Sequence, residues 1–161
     1  MTGHIFTTAA AATLTQHASR IDACLEKLTP EQIWIRGSDN ENAIGNLVLH
    51  LCGNLRQYTR HAILGDPDIR VRDEEFNAVC GGALREQVQA VAGDAASIIA
   101  GVSEERLMER ITVQSREMTV LEAIFKTTEH FALHTGQILF ATKMLTQREL
   151  GFTTHNRASG A

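Results

Sequence analysis

The 161-residue chain holds few of the residues that interrupt or brace a fold. Its two prolines, Pro30 and Pro67, both fall between apolar-periodic segments, so helices can run uninterrupted over long stretches. Alternating Val, Ile and Thr are scarce, which argues against a large sheet and leaves an all-α fold. The three cysteines, Cys24, Cys52 and Cys80, are odd in number and widely spaced. Without a CxxC they indicate neither a disulfide framework nor a zinc ribbon, and all three are expected to be buried small hydrophobes. No apolar run approaches the roughly 20 residues that span a bilayer, so no membrane association is expected. The apolar stretch Ile5–Leu14 has no Lys or Arg before it, and its periodicity runs on into the following segment. It is therefore read as part of a helix and not as a signal peptide, with a cytoplasmic location expected. Basic residues are in deficit: net charge is −4 and the pI about 6.0, which disfavours nucleic acid as a partner. Arg56, Arg60, Arg70 and Arg72 read as solvated helix charges, with an anion-binding rim as the alternative.

Four long amphipathic segments fill most of the chain. The first, about Phe6 to Leu28, carries Leu14, Ala18, Ile21, Leu25 and Leu28 in steps of four and three, the spacing of one buried helical face. Thr29-Pro30-Glu31-Gln32 then reads as a capped short helix, with Trp34 covering one end of the core. The second, about Ala43 to Leu64, presents Ile44, Leu47, Val48, Leu51, Leu55 and Tyr58. The third is expected to open at Asp73 as N-cap and to run through Phe76, Cys80, Leu84, Val88, Val91, Ala95 and Ile98 to Val102. Ser103–Gln114 reads as a connector with a short helical turn. The fourth begins at the capping box Thr119-Val120-Leu121-Glu122 and continues to about Gln147. Such a pattern predicts one four-helix bundle domain over residues 1–150, followed by a flexible tail at 151–161.

Among seven histidines, His130 and His134 stand one turn apart on the fourth helix. A wheel at ~100° per residue places them on its inward side, with Ala123, Thr127, Ile138, Ala141 and Leu145 nearby. Two inward imidazoles need partners for their donors and acceptors, and a shared divalent cation supplies one. His50, at the flank of the second helix's buried stripe, is the best third ligand. If helices two and four are antiparallel, it falls near the level of His134. His17 and His61 are alternatives with weaker positions, and Asn54 and Gln57 share a polar line with His50 and His61. His4 and His155 are assigned to frayed ends. No acidic residue stands three before any candidate histidine, which excludes a Glu-x-x-His di-iron bundle. Phe131 follows His130 where a thermolysin-type site needs Glu. The expected site is thus three neutral imidazoles without a carboxylate, with an open coordination position. Such a site suits lowering the pKa of a water or thiol, or polarising a carbonyl.

The segment Ala43-Ile44-Gly45-Asn46-Leu47-Val48-Leu49-His50-Leu51 resembles the second-helix motif of the DinB/YfiT-like superfamily. The segment His130-Phe131-Ala132-Leu133-His134-Thr135-Gly136-Gln137-Ile138 is similar to the superfamily's last-helix motif. Both occur in the superfamily's order and separation, and the resemblance covers roughly Phe6 to Thr146. It implies an up-down-down-up four-helix bundle, a zinc or nickel ion on His50, His130 and His134, and frequent dimerisation, here a homodimer. It also implies a metal-dependent enzyme acting on a small molecule. Better-understood members are S-transferases or isomerases that use low-molecular-weight thiols. A non-catalytic metal-binding or regulatory bundle is the alternative, because no residue stands out as a general base: Asn54, Gln57 and Gln137 orient ligands but take no protons. Gly136, in mid-helix, costs about 1 kcal/mol relative to Ala; a tight helix approach near the metal would explain it, and a merely tolerated glycine is the equal alternative.

Overall fold

The first apolar stripe builds α1, Thr2–Leu25, in the computed structural model, which describes residues 2–152. The helix begins four residues before the expected start, so His4 lies within it, exposed. It ends at Leu25, and Leu28 is buried from the turn beyond. The capping box at Thr29 starts α2, Pro30–Trp34: Thr29 Oγ1 accepts from the Gln32 amide at 3.3 Å, and Gln32 Oε1 accepts from the Thr29 amide at 3.0 Å. Trp34 packs, half-buried, on one end of the core.

The second segment forms α3, Ile44–Arg56, and then winds on as a π-helical turn, Gln57–Ile63. All six residues of its stripe, Ile44 to Tyr58, are buried. The third segment departs from expectation. A short α4, Arg72–Asn77, is separated from α5, Leu84–Ala100, by an irregular stretch. Gly81 and Gly82 lie in that break and Ala83 is left-handed (φ 55°), so the helix cannot continue through them. Val71, not Asp73, is the N-cap of α4, and Cys80 is exposed, whereas Cys24 and Cys52 are buried as expected. On α5 the stripe holds as Leu84, Val88, Val91, Ala95 and Ile99, with Ile99 in place of Ile98.

The connector is more ordered than expected. A 3-10 turn, Arg106–Met108, leads into a hairpin of β1, Arg110–Val113, and β2, Arg116–Thr119, with Arg110 opposite Thr119. Gln114 and Ser115 form its two-residue turn with φ of 52° and 60°. Thr119 then caps α6, Val120–Thr146, through the expected box with Glu122.

Contacts at the helix ends fix the topology. Arg85, at the start of α5, pairs with Asp22 near the end of α1 at 2.7 Å, so these helices are antiparallel. Gln32, after α1, donates to the Leu145 carbonyl near the end of α6 at 3.5 Å, so α1 and α6 run parallel. Along α3, His50 and then Asn54 meet His130 and then Thr127, so α3 and α6 are antiparallel. The bundle is therefore up-down-down-up. Its centre is filled by Leu14, Ile21, Leu51, Leu55, Ile99, Ile124, Phe131 and Ile138, all fully buried. Leu150 is buried and Phe152 packs half-buried on this core, so packing extends past residue 150. The rest of the expected tail, with His155, lies outside the described residues. No described helix is long and apolar enough to cross a membrane.

Candidate metal centre

Antiparallel packing of α3 on α6 brings His50, His130 and His134 together. His130 Nε2 lies 3.2 Å from His50 Nε2 and 3.1 Å from His134 Nε2, and one donor atom from each ring falls within 4.8 Å of the others. The tautomers follow from the opposite ring nitrogens. His50 Nδ1–H donates to Glu75 Oε2 at 3.0 Å, and His134 Nδ1–H donates to Gln137 Oε1 at 2.6 Å. Both rings therefore turn an Nε2 lone pair inward. His130 Nδ1 is buried with no partner among the described residues. One shared proton on His130 Nε2 can satisfy only one neighbour at a time. A tetrahedral divalent ion with nitrogens at about 2.0–2.1 Å would hold adjacent donors roughly 3.3 Å apart, and the two spacings from His130 match.

A carboxylate stands behind the cluster, on the outer nitrogen of His50 and outside the three imidazoles. Glu75, on α4, is buried and takes a bidentate pair from Arg70: Nε to Oε1 at 2.7 Å and Nη2 to Oε2 at 2.8 Å. Arg70 Nη2 also sits 3.1 Å from His50 Nδ1, because both groups share Oε2. Arg70 Nη1 donates to Gln57 Oε1 at 2.8 Å. The arginine is therefore buried structure and not a solvated charge, its side chain only 6% exposed. Gly53 admits this pair, since a Cβ there would collide with the Glu75 carboxylate. Asn46 holds α4 in place, donating to the Glu75 carbonyl at 3.0 Å and the Ala78 carbonyl at 2.8 Å, while Arg36 bridges Asn46 and the Phe76 carbonyl. Deeper in the bundle, Thr127 Oγ1 donates to Asn54 Oδ1 at 3.0 Å.

Burial, then the charges of His134, His50, Arg70 and Arg72, push the His130 imidazole down to about 4. Burial lowers His134 as well, against the opposing hydrogen bond to Gln137. At Glu75 burial acts upward, but the hydrogen bonds from Arg70 and His50 outweigh it and hold the carboxyl below its usual range. Burial thus favours the neutral form of His130 and His134, while the carboxylate behind His50 is held ionised.

The histidines border an open cavity of about 510 Å³, walled on its other side by Arg72, Asp73 and Phe76 of α4. The Phe76 ring lies 4.7 Å from the His50 ring, and the Arg72 guanidinium stacks 4.7 Å over Phe76. A second cavity of about 590 Å³ lies beyond the Arg70–Glu75 pair, bordered by His61, Arg56, Asp66, Asp68 and Ile69. His61 donates to the Asp66 carbonyl at 2.7 Å and stays out of the cluster, as does half-buried His17 on α1. Sequence reasoning reads Arg70 and Arg72 only as solvated charges or an anion-binding rim, and it misses Glu75 because α4 is merged into a longer helix. The Gly81-Gly82 pair is the signal that separates α4 from α5.

The up-down-down-up bundle with imidazoles converging from its second and last long helices is a DinB-like fold. The crystal structure of a DinB-like protein, YjoA of Bacillus subtilis, superposes with a TM-score of 0.71 over 89% of this chain and 96% of that one, at 16% identity. The model of the protein family of unknown function DUF1572 matches residues 2–158, and the chain belongs to that family. No curated protein matches it.

Proposed function

We propose that the protein is a metal-dependent enzyme in which His50, His130 and His134 hold one divalent ion, zinc or nickel, for chemistry on a small molecule in the adjoining cavity. The observation that carries this reading is the convergence of three imidazole nitrogens, two with their outer nitrogens already engaged, at the wall of an open cavity of about 510 Å³. When bound, such an ion polarises a carbonyl or lowers the pKa of a thiol or water. The chain's own groups position and orient. Glu75 fixes the His50 ring, Gln137 fixes His134, and Phe76 offers an apolar surface beside the nitrogens. Arg72 has no ion pair among the described residues and stands as a cation at the cavity's edge. A cavity so lined suits a thiol S-transferase or isomerase. The cluster has three members among the described residues, and the open side favours catalysis over a purely structural site.

The test is elemental analysis of the purified protein, followed by a screen for metal-dependent conjugation or isomerisation with low-molecular-weight thiols. About one zinc or nickel per chain is expected. Turnover should disappear on chelation and return with the metal. A protein that takes up neither ion refutes the site, and one that binds an ion tightly without turning over any thiol substrate favours the non-catalytic bundle.

A further inference from the structure

The histidine cluster opens on two sides. His50, His130 and Arg72 border the cavity of about 510 Å³ and also a smaller chamber of about 210 Å³ that reaches toward the hairpin. A pocket for a whole ligand spans roughly 300–1,000 Å³, so the chamber suits one end of a molecule whose remainder lies in the larger cavity. His50, Asn54 and Tyr58 follow at four-residue spacing, so one face of α3 and of the π-helical turn lines it. Two of these side chains are buried and incompletely bonded. Tyr58 is 2% exposed, its ring packed with Val113, Met118 and Ala123, yet its hydroxyl has no hydrogen-bond partner among the described residues. Burial pushes this phenol up, against the pull of Arg116 and Arg70, so it keeps its proton and can donate. Asn54 is 6% exposed; its Oδ1 accepts from Thr127 Oγ1, and its Nδ2 has no partner among the described residues. Buried donors are rarely left open in folded proteins, and both of these line the chamber.

The geometry points to this chamber as a carboxylate subsite: the Tyr58 hydroxyl and the Asn54 amide hold the carboxylate of a small substrate whose reacting end faces the three imidazoles. Two exposed cations without ion pairs among the described residues, Arg72 and Lys126, supply the opposing charge at its rim. Arg70 also borders the chamber, but Glu75 neutralises it. Exposed Glu129 offsets one of the two free cations, which leaves a surplus of positive charge that suits a monoanion. A phosphate dianion calls for a further guanidinium fork, and that of Arg70 is already taken by Glu75. The hairpin gains a use in this arrangement. It sets Val113 and Met118 against the Tyr58 ring, and Gln114 of its turn closes one wall, donating to Gln57 Oε1 at 2.8 Å. The inference rests on the proposed function only for the ion at the reacting end; the subsite itself is made of the chain's own groups.

Acetate, acetamide and inorganic phosphate are the probes, titrated into the full chain, zinc-loaded and metal-free in parallel, and followed by NMR. Tyr58 is the only tyrosine, so a ring label on tyrosine gives one unambiguous signal. Acetate should shift that signal saturably in both forms, while acetamide, its neutral isostere, should bind roughly tenfold more weakly or worse. Phosphate should also bind more weakly than acetate. Backbone amide signals follow the same titration in the variants. Tyr58→Phe should weaken acetate roughly tenfold or more, and Lys126→Met by roughly two- to fivefold. Lys126 is exposed, so its variant decides the matter should Tyr58→Phe fail to fold. A chain that takes up no zinc refutes the metal reading and leaves the metal-free titration standing. An unmoved Tyr58 signal, acetamide or phosphate bound as tightly as acetate, or an affinity unchanged in either variant overturns the proposal. Acetate bound by the zinc-loaded form alone overturns it too, since the carboxylate then sits on the ion and not in the chamber.

Discussion

Each imidazole of the cluster has a different claim on its surroundings, and substitutions should separate them. Replacing His50, His130 or His134 by Ala removes a donor and leaves two, so metal affinity should fall far more than the roughly 10–100-fold of an outer-partner change. His17→Ala and His61→Ala should stay within that smaller range, because neither ring reaches the cluster. Competition with a chromogenic chelator measures both. Equal losses at His61 and His50 would place the ion elsewhere. Glu75→Gln tests the backing carboxylate. It keeps an acceptor for His50 Nδ1–H but strands the buried Arg70, so affinity should drop roughly 10–100-fold and stability by about 3 kcal/mol. Adding Arg70→Met removes the stranded charge. Stability should then largely return while affinity stays low, a split that a merely structural Glu75 would not produce.

Helix α4 matters to the site out of proportion to its six residues, since it supplies Glu75, Phe76 and Arg72. Its tether is Asn46, fully buried on the first turn of α3. Asn46→Ala leaves the Glu75 and Ala78 carbonyls without their donor, which should cost about 1–3 kcal/mol and loosen Glu75 behind His50. Thermal melts and metal titration of the one variant should therefore both shift. A lower melting temperature with wild-type affinity would mean that α4 holds its position without the tether. The same element shows where reading the sequence stops. The stripes of α1, α3, α5 and α6 were legible because each buries a face at helical period, and the boxes at Thr29 and Thr119 marked two starts. The sequence also singled out the three histidines that converge. Phe76, Cys80 and Leu84 keep helical spacing across the Gly81-Gly82 break, so period alone joined α4 to α5. The hairpin is too short to show alternation, and the π-helical turn at Gln57–Ile63 shifts no apolar position far enough to be seen.

For the whole molecule, the apolar stripes outweigh the ion in holding the fold. Chelation is expected to lower the melting temperature yet leave far-UV helicity intact near 25 °C, whereas loss of helicity would make the ion structural. The buried titratable groups then fix how stability varies with pH in the metal-free protein. His130 titrates near 6.5 when unfolded and near 4 when folded. Below pH 6.5 the unfolded chain therefore binds the extra proton first, and stability falls as pH drops toward 4. His134, lowered in the same direction, adds to that limb. Glu75 extends it below its ordinary value of 4.5, where the ion pair with Arg70 is lost. At the other end burial pushes the Cys52 thiol from 9.0 up to about 12. The unfolded chain loses that proton first, so stability declines again as pH rises above 9. Metal-free protein should show a stability plateau between about pH 6.5 and 9, with a fall on either side, in urea denaturation series. His130→Ala should flatten the acid limb between pH 6.5 and 4 without touching the alkaline one, and Cys52→Ala should do the reverse. An acid limb that begins only below pH 4.5 in the wild type would show that His130 and His134 are not held neutral by burial. The readiness of those two rings as neutral donors would then be lost with it.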